Sequence, residues 1–211
     1  MIEKLSVQKR LILETALKLM FDGFYENADI ERVSRKARLD PEKIRQHYTT
    51  DENLRISAMK YAAVVWVKQV KTDLKKQQTK KDKLYVLIRH FIAGSESHPQ
   101  SLSLYVDIWK KIRDLKEEDR QLLSEDLSEI YRYYTDFFQD AIKDIYENES
   151  GYDLEQLAWI MVVISDGFHI QSFIQPQQLD FDRITSTLIK LLETSCTEME
   201  RVYEKGYSLL P

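Results

Sequence analysis

The stretch DIERVSRKARLDPEKIRQHYTTDENL, residues 29–54, decides the fold. Ile30, Val33 and Ala37 fall at i, i+3 and i+7, so one face of a first short helix is apolar, while Arg32, Arg35 and Lys36 lie on the others. Asp40-Pro41 then restarts the chain, because an Asp caps the free amides of a new helix and a Pro at its first position lacks the amide that would be orphaned. The second helix, over residues 41–48, buries Ile44 and Tyr48 four residues apart and turns Lys43, Arg45, Gln46 and His47 outward. Those are donor types that reach phosphates and base edges when a helix enters the major groove. Arg35, Lys36, Arg38, Lys43, Arg45, Gln46 and His47 are therefore the candidate DNA-contacting residues of a two-helix reading unit.

Upstream, residues 7–21 stack Leu13, Ala16, Leu17 and Met20 at helical spacing and complete a three-helix head. Downstream, Thr49 and Glu52 have capping-box spacing and predict a long helix to about residue 78, carried from the head into a body by Tyr61, Val65 and Trp66. KQQTKKDK, residues 76–83, reads as a solvated turn. Further helices are predicted over 83–95, 100–113, 119–146, 154–174 and 182–205. Breaks are expected at Ser97-His98-Pro99, residues 115–118, Glu149-Ser150-Gly151 and Gln175-Pro176-Gln177.

Only 5 Gly and 4 Pro in 211 residues, with apolar side chains recurring at three and four rather than two, predict an all-α protein. The apolar run at 157–164 is far short of the about 20 residues that cross a bilayer. No signal peptide is evident, and a cytoplasmic protein with no membrane partner is expected. A single cysteine, Cys196, excludes an internal disulfide and fits a small buried hydrophobe. Net charge is −4, yet residues 32–47 hold six basic against two acidic side chains, a local +4 that leaves −8 for the remainder. A basic head on an acidic body suits a protein that meets DNA with one end.

The head resembles the tetracycline-repressor (TetR) family of bacterial regulators over about residues 8–59. The family pattern has a helix V-x-x-I-A-x-x-A-G-V and a recognition helix closing on Y-x-H-F before K-E-x-L. Ile30, Val33, Ala37, Leu39, Ile44, His47, Tyr48, Glu52 and Leu54 fit those places. Ser34 stands for the usual Ala, Arg38 for the turn Gly, Glu42 for a Gly, Arg45 for a phosphate-contacting Tyr and Asp51 for a Lys. Either Phe24 or Tyr25 takes the family's aromatic place. Asp51 favours its helix start through the helix dipole while setting a negative charge toward DNA.

The resemblance implies a helix-turn-helix DNA-binding domain over 1–50 and a helical ligand-binding and dimerisation domain over 51–211. It also implies a homodimer closed by the last two helices. Ile160, Ile164, Gly167 and Phe168 form a stripe on one, with Asp166–Gln171 similar to the family's D-G-L-x-x-Q. Ile184, Leu188, Leu191 and Met199 form the other stripe. The alternative is that both stripes complete the core of one subunit. In the family a cavity among the body helices takes a small hydrophobic ligand. Trp66, Tyr105, Trp109, Tyr134, Phe138, Trp159 and His169 are the candidate ligand-binding residues, with Tyr105, Tyr134 and His169 as polar anchors.

The four histidines show no metal-ligand pairing, and no H-E-x-x-H, G-x-S-x-G or Gly-rich phosphate loop occurs. No catalytic residue, metal or cofactor is expected. The reading is a ligand-responsive, homodimeric DNA-binding transcriptional regulator, a repressor released from an inverted-repeat operator by a small apolar or aromatic effector. The rival is an interaction protein of the same fold that binds a protein partner or a lipid-like ligand with weak or no specific DNA binding. Glu42 and Asp51 feed the rival.

Overall fold

A computed structural model describes residues 5–93, 101–146, 153–175 and 179–204. Among them every long element is a helix and none is a strand, as the composition predicts. In chain order these are α1 (Val7–Phe21), α2 (Ile30–Ala37), α3 (Pro41–Arg45), α4 (Asp51–Lys75), α5 (Lys80–Ile92), α6 (Ser101–Asp114), α7 (Glu117–Tyr146), α8 (Leu154–Ile174) and α9 (Phe181–Glu204). One short 3-10 turn, Tyr25–Asn27, sits between α1 and α2 and has no signature in the sequence, since three residues carry no period. The expected breaks at Ser97-His98-Pro99, Glu149-Ser150-Gly151 and Pro176-Gln177 lie outside the described residues. Among the described residues no helix is long and apolar enough to cross a membrane.

Side-chain caps set the helix starts. Ser6, Asp29, Asp40, Thr79 and Asp153 accept hydrogen bonds from the amides of Lys9, Arg32, Glu42, Asp82 and Gln156. Three boundaries differ from the sequence reading. Thr50 rather than Thr49 caps α4, taking the Asn53 amide at 3.1 Å, which frees Glu52 to turn elsewhere. Only half of the polar run at 76–83 is a turn: Thr79 caps α5, which starts at Lys80, and residues 76–79 connect it to α4. Finally, α3 ends at Arg45, although the Tyr48 amide still bonds to the Ile44 carbonyl at 2.9 Å. The His47 amide shares that carbonyl at the same distance, a tightening to the i−3 bond common in a last turn.

The described residues divide into two compact units, one within Met1–Lys68 and His98–Tyr133, the other within Gln69–Ser97 and Tyr134–Pro211. In the first, Ile12, Leu13, Ala16 and Met20 of α1 meet Ile30 and Val33 of α2, Ile44, Tyr48, and Leu104 and Ile108 of α6 in one core. Leu17, expected in this stripe, is only partly buried. In the second, α8 and α9 both pack on α5, whose Leu84, Leu87, Ile88, Phe91 and Ile92 are buried. Phe91 lies edge-on to Phe138 and stacks on Phe137, with ring centroids 5.1 and 6.4 Å away.

The corner of the first unit depends on Asp51. Its carboxylate accepts the Ile30 amide at 2.9 Å, so the first residue of α4 caps the first residue of α2. Asp51 thus acts on a second helix in addition to the dipole of its own. A hydrogen bond to a charged group contributes about 1.5–3 kcal/mol net, against a few tenths for an exposed dipole contact. Asp51→Ala is therefore expected to lower unfolding stability by about 1–2 kcal/mol, and Asp51→Asn, which keeps an acceptor oxygen, by less than half of that. Urea denaturation of the three proteins measures the difference; equal losses would mean that the Ile30 amide is not held.

Candidate nucleic-acid interface

The head divides into a buried and an exposed face at the spacing the sequence predicts. Ile30, Val33, Ile44 and Tyr48 are buried, whereas Arg35, Lys36, Arg38, Lys43, Arg45, Gln46 and His47 all lie toward solvent. Two substitutions relative to the TetR pattern shape the turn between the helices. Ser34 is buried and its hydroxyl donates to the Leu39 carbonyl at 2.6 Å, while the Leu39 amide returns a bond to the Ser34 carbonyl at 3.1 Å. Arg38 closes α2 in the left-handed region at φ 56°, and it is the one non-glycine residue with positive φ among the described residues. That conformation is strained for any side chain and most of all for a β-branched one. An arginine here carries a cation into the turn at the cost of backbone strain that glycine would avoid.

The cations are not equivalent. Arg45, expected to reach DNA freely, donates through one terminal nitrogen to Glu42 Oε1 at 2.7 Å and through the other to Glu31 Oε1 at 2.6 Å. Arg32 pairs with Asp29 at 3.2 Å and donates to the Asn27 side chain. By contrast, Arg35, Lys36, Arg38 and Lys43 make no ion pair or side-chain hydrogen bond among the described residues. Sequence reading counted Glu42 as a charge, left Glu31 outside the basic stretch and missed the grip of both on Arg45, although the i, i+3 spacing of Glu42 and Arg45 could have shown half of it.

The same unit holds a polar cluster that sequence reasoning did not find. Tyr25 is fully buried and Phe24 exposed, which assigns the aromatic core position to Tyr25. The Tyr25 hydroxyl donates to Glu52 Oε1 at 2.7 Å, and Glu52 Oε2 accepts from Lys111 at 2.8 Å and Arg55 at 3.2 Å. Glu26 closes the ring, pairing with Lys111 at 2.6 Å and Arg55 at 2.7 Å, and both cations also sit over the Tyr25 ring. Burial opposes ionisation of Glu52, but hydrogen bonds from Lys111 and Tyr25 with the charges of Lys111 and Arg55 outweigh it and hold the carboxyl below its ordinary range. Burial, and then the Glu52 charge, push the Tyr25 hydroxyl up, so it stays a donor. Beside the cluster an open cleft of about 280 Å³ is lined by Phe24, Tyr25, Glu26, Asp107, Lys110, Lys111 and Asp114.

The candidate ligand residues are divided between the two units. Trp66 and Trp109 belong to the first unit, and Tyr134, Phe138, Trp159 and His169 to the second. Phe138 is fully buried against Phe91, Trp109 and Trp159 are exposed, and burial lowers the His169 pKa so that the imidazole is neutral at pH 7. The side chains of Tyr105, Cys196 and Met199 lie outside the described residues.

On α8, Ala158, Met161, Val162 and Ser165 are buried, while Ile160, Val163 and Gly167 are exposed on the opposite side. Ile164 and Phe168 are partly buried at the border of the two faces, as is Leu188 on α9, whose Leu191 is exposed. Val163, 66% exposed, is a member of the outer stripe that sequence reading overlooked.

No protein-family model matches the sequence, and no curated protein matches it. Solved structures do. A TetR transcription regulator from Haloarcula marismortui superposes at a TM-score of 0.69 and 13% identity, over 90% of this chain and 98% of that one. The chain has the TetR-regulator fold. The fatty acid degradation regulator FadR from Bacillus halodurans gives 0.67 at 12% identity over 90% of this chain and 96% of that one. FadR from Bacillus subtilis, crystallised with stearoyl-CoA, gives 0.64 at 16% identity over 87% and 96%. On the TetR fold the short pair α2–α3 is the helix-turn-helix, so the unpaired cations fall on its outer face.

Because Glu52 is more acidic folded than unfolded, its contribution to stability is present above the ordinary glutamate value of 4.5 and is lost as pH falls below it. Glu52→Gln is expected to be less stable than the parent at neutral pH, with the two stability curves converging below pH 4.5. Denaturant unfolding over a pH series reads this directly; curves that stay parallel would show that the cluster does not hold the carboxylate.

Proposed function

We propose that this chain is a homodimeric, DNA-binding transcriptional regulator, in its simplest form a repressor released from an inverted-repeat operator by a small apolar effector. The observation that carries the proposal is the row Arg35, Lys36, Arg38 and Lys43, unpaired among the described residues on the outer face of a helix-turn-helix. A cluster of cations without partners on one end of an otherwise acidic chain gives that end the positive field that attracts a polyanion. The stearoyl-CoA held by the Bacillus subtilis regulator of this fold supports an apolar or lipid-like effector in the helical body. The exposed stripe of Ile160, Val163 and Gly167, with open space where a Gly167 side chain would lie, supports pairing through α8 and α9. An effector acts by differential affinity for the DNA-competent and DNA-incompetent states, and the coupling is reciprocal.

A second reading is favoured by one observation. Glu31 and Glu42 occupy Arg45 and bring negative charge to the reading face, which suits an interaction protein with little DNA affinity that binds a protein partner or a lipid-like ligand. Operator capture separates the two. For the regulator, sedimentation at micromolar concentration shows a dimer and footprinting shows two half-sites about one helical turn, or a multiple, apart. Lys43→Ala is expected to relax preference at one or two base pairs per half-site. Arg35→Ala, Lys36→Ala and Arg38→Ala should instead weaken binding to all sequences and lower the salt slope by about one each. A slope unchanged in all four variants would remove this face from the DNA and favour the second reading. Apolar ligands should quench tryptophan fluorescence and loosen the DNA complex together.

A further inference from the structure

The carboxylates on the reading face acquire a use of their own once the chain is taken to read DNA, and that use rests on the regulator proposal. A recognition helix meets base edges with its N-terminal residues. In α3 those are Pro41, which offers no donor, then Glu42 and Lys43. Glu42 is thus placed where sequence is read, with a side chain 72% exposed. It is also propped, because Arg45 holds Oε1 at 2.7 Å and is itself held from the other side by Glu31 at 2.6 Å across the turn from α2. Glu42 Oε2 has no partner among the described residues. The trio carries a net charge of −1 inside a surface that is otherwise positive.

A carboxylate brought into the major groove is repelled by most of what it finds. Guanine shows N7 and O6, thymine shows O4 and adenine shows N7, all acceptors; the donors there are the amino groups of cytosine N4 and adenine N6. On adenine the amino group adjoins N7, so one carboxylate oxygen gains a donor while the other faces an acceptor. Cytosine N4 adjoins a ring C–H on one side and the paired guanine O6 on the other, whereas adenine N6 lies between two acceptors, its own N7 and the paired thymine O4. We infer that Glu42 is a specificity-determining residue that accepts from cytosine N4, with Arg45 as its prop and Glu31 as a positioning residue acting through Arg45. The same charge rejects guanine and thymine at that position, so discrimination arises as much from repulsion as from contact.

Selection of binding sites from randomised duplex DNA by the full-length protein, its Glu42→Gln variant and its Glu31→Gln variant tests this. The parent is expected to enrich cytosine at one position of each half-site. Glu42→Gln should change that position to adenine, whose N6 and N7 match an amide, and leave the other positions alone. Glu31→Gln should keep cytosine with weaker preference, an effect that a merely structural ion pair would not produce. On defined duplexes, replacing the cytosine pair should cost the parent roughly tenfold to a hundredfold in affinity and the Glu42→Ala variant only a few-fold. All three substitutions are at exposed positions, and a thermal melt of each confirms the fold before selection. An enriched site whose base profile is identical in parent and Glu42→Gln overturns this inference and leaves the regulator reading standing. No enriched site from the parent overturns both.

Discussion

A carboxylate drawn partly out of water must be met by donors where it stands, and Glu52 is met from three sides. Tyr25 reaches it from the 3-10 turn, Arg55 from one turn further along α4, and Lys111 from α6. Withdrawing Glu52 leaves the buried Tyr25 hydroxyl without its acceptor, and withdrawing a cation leaves Glu52 with one donor fewer. The register of α6 against α1 and the head is set with them, because Asp107, one turn before Lys111, also accepts the Tyr25 amide at 3.2 Å. Nonpolar packing of Ile12, Met20, Leu104 and Ile108 supplies area; the polar ring supplies a single arrangement of it.

The second unit has a different logic. One helix, α5, is apolar enough to serve two neighbours, and both α8 and α9 pack on it. Two polar anchors fix the docking. The Ser165 hydroxyl of α8 donates to the Phe91 carbonyl, and Asp182 of α9 accepts from Tyr85 at 2.8 Å and Arg89 at 2.9 Å. With their inner faces so committed, the outer apolar side chains of α8 are surplus to this unit's own core. That surplus favours self-association more strongly than the stripe does as a sequence pattern, because the inner face is accounted for separately.

The head is legible in the sequence because its signals are local. Asp29 and Asp40-Pro41 announce two helix starts within a dozen residues, and Ile30, Val33, Ile44 and Tyr48 lie at helical spacing on the buried side. The start of α5 is equally local but hidden: Thr79 and Asp82 have capping spacing inside a run whose lysines suggest only solvation. Thr49 and Thr50 offer the same chemistry one residue apart, and spacing cannot choose between them. The polar ring is illegible for another reason. Lys111 finds Glu52 and Glu26 across 59 and 85 residues of chain, and no periodicity within one helix records a partner on another. The division of the body aromatics between two units is hidden for the same reason, since a shared residue type on four helices says nothing of which unit each helix joins.

Asp51 ties two helix ends into one mechanical element. Its backbone begins α4 and its side chain supplies the acceptor that α2 lacks at its own first amide. An axial slide of α4 by a fraction of a helical turn would carry that acceptor away and open the end of α2 to solvent. Any displacement of the start of α4, along its axis or around it, thus releases the first amide of α2, while Asp29 still holds the amide of Arg32.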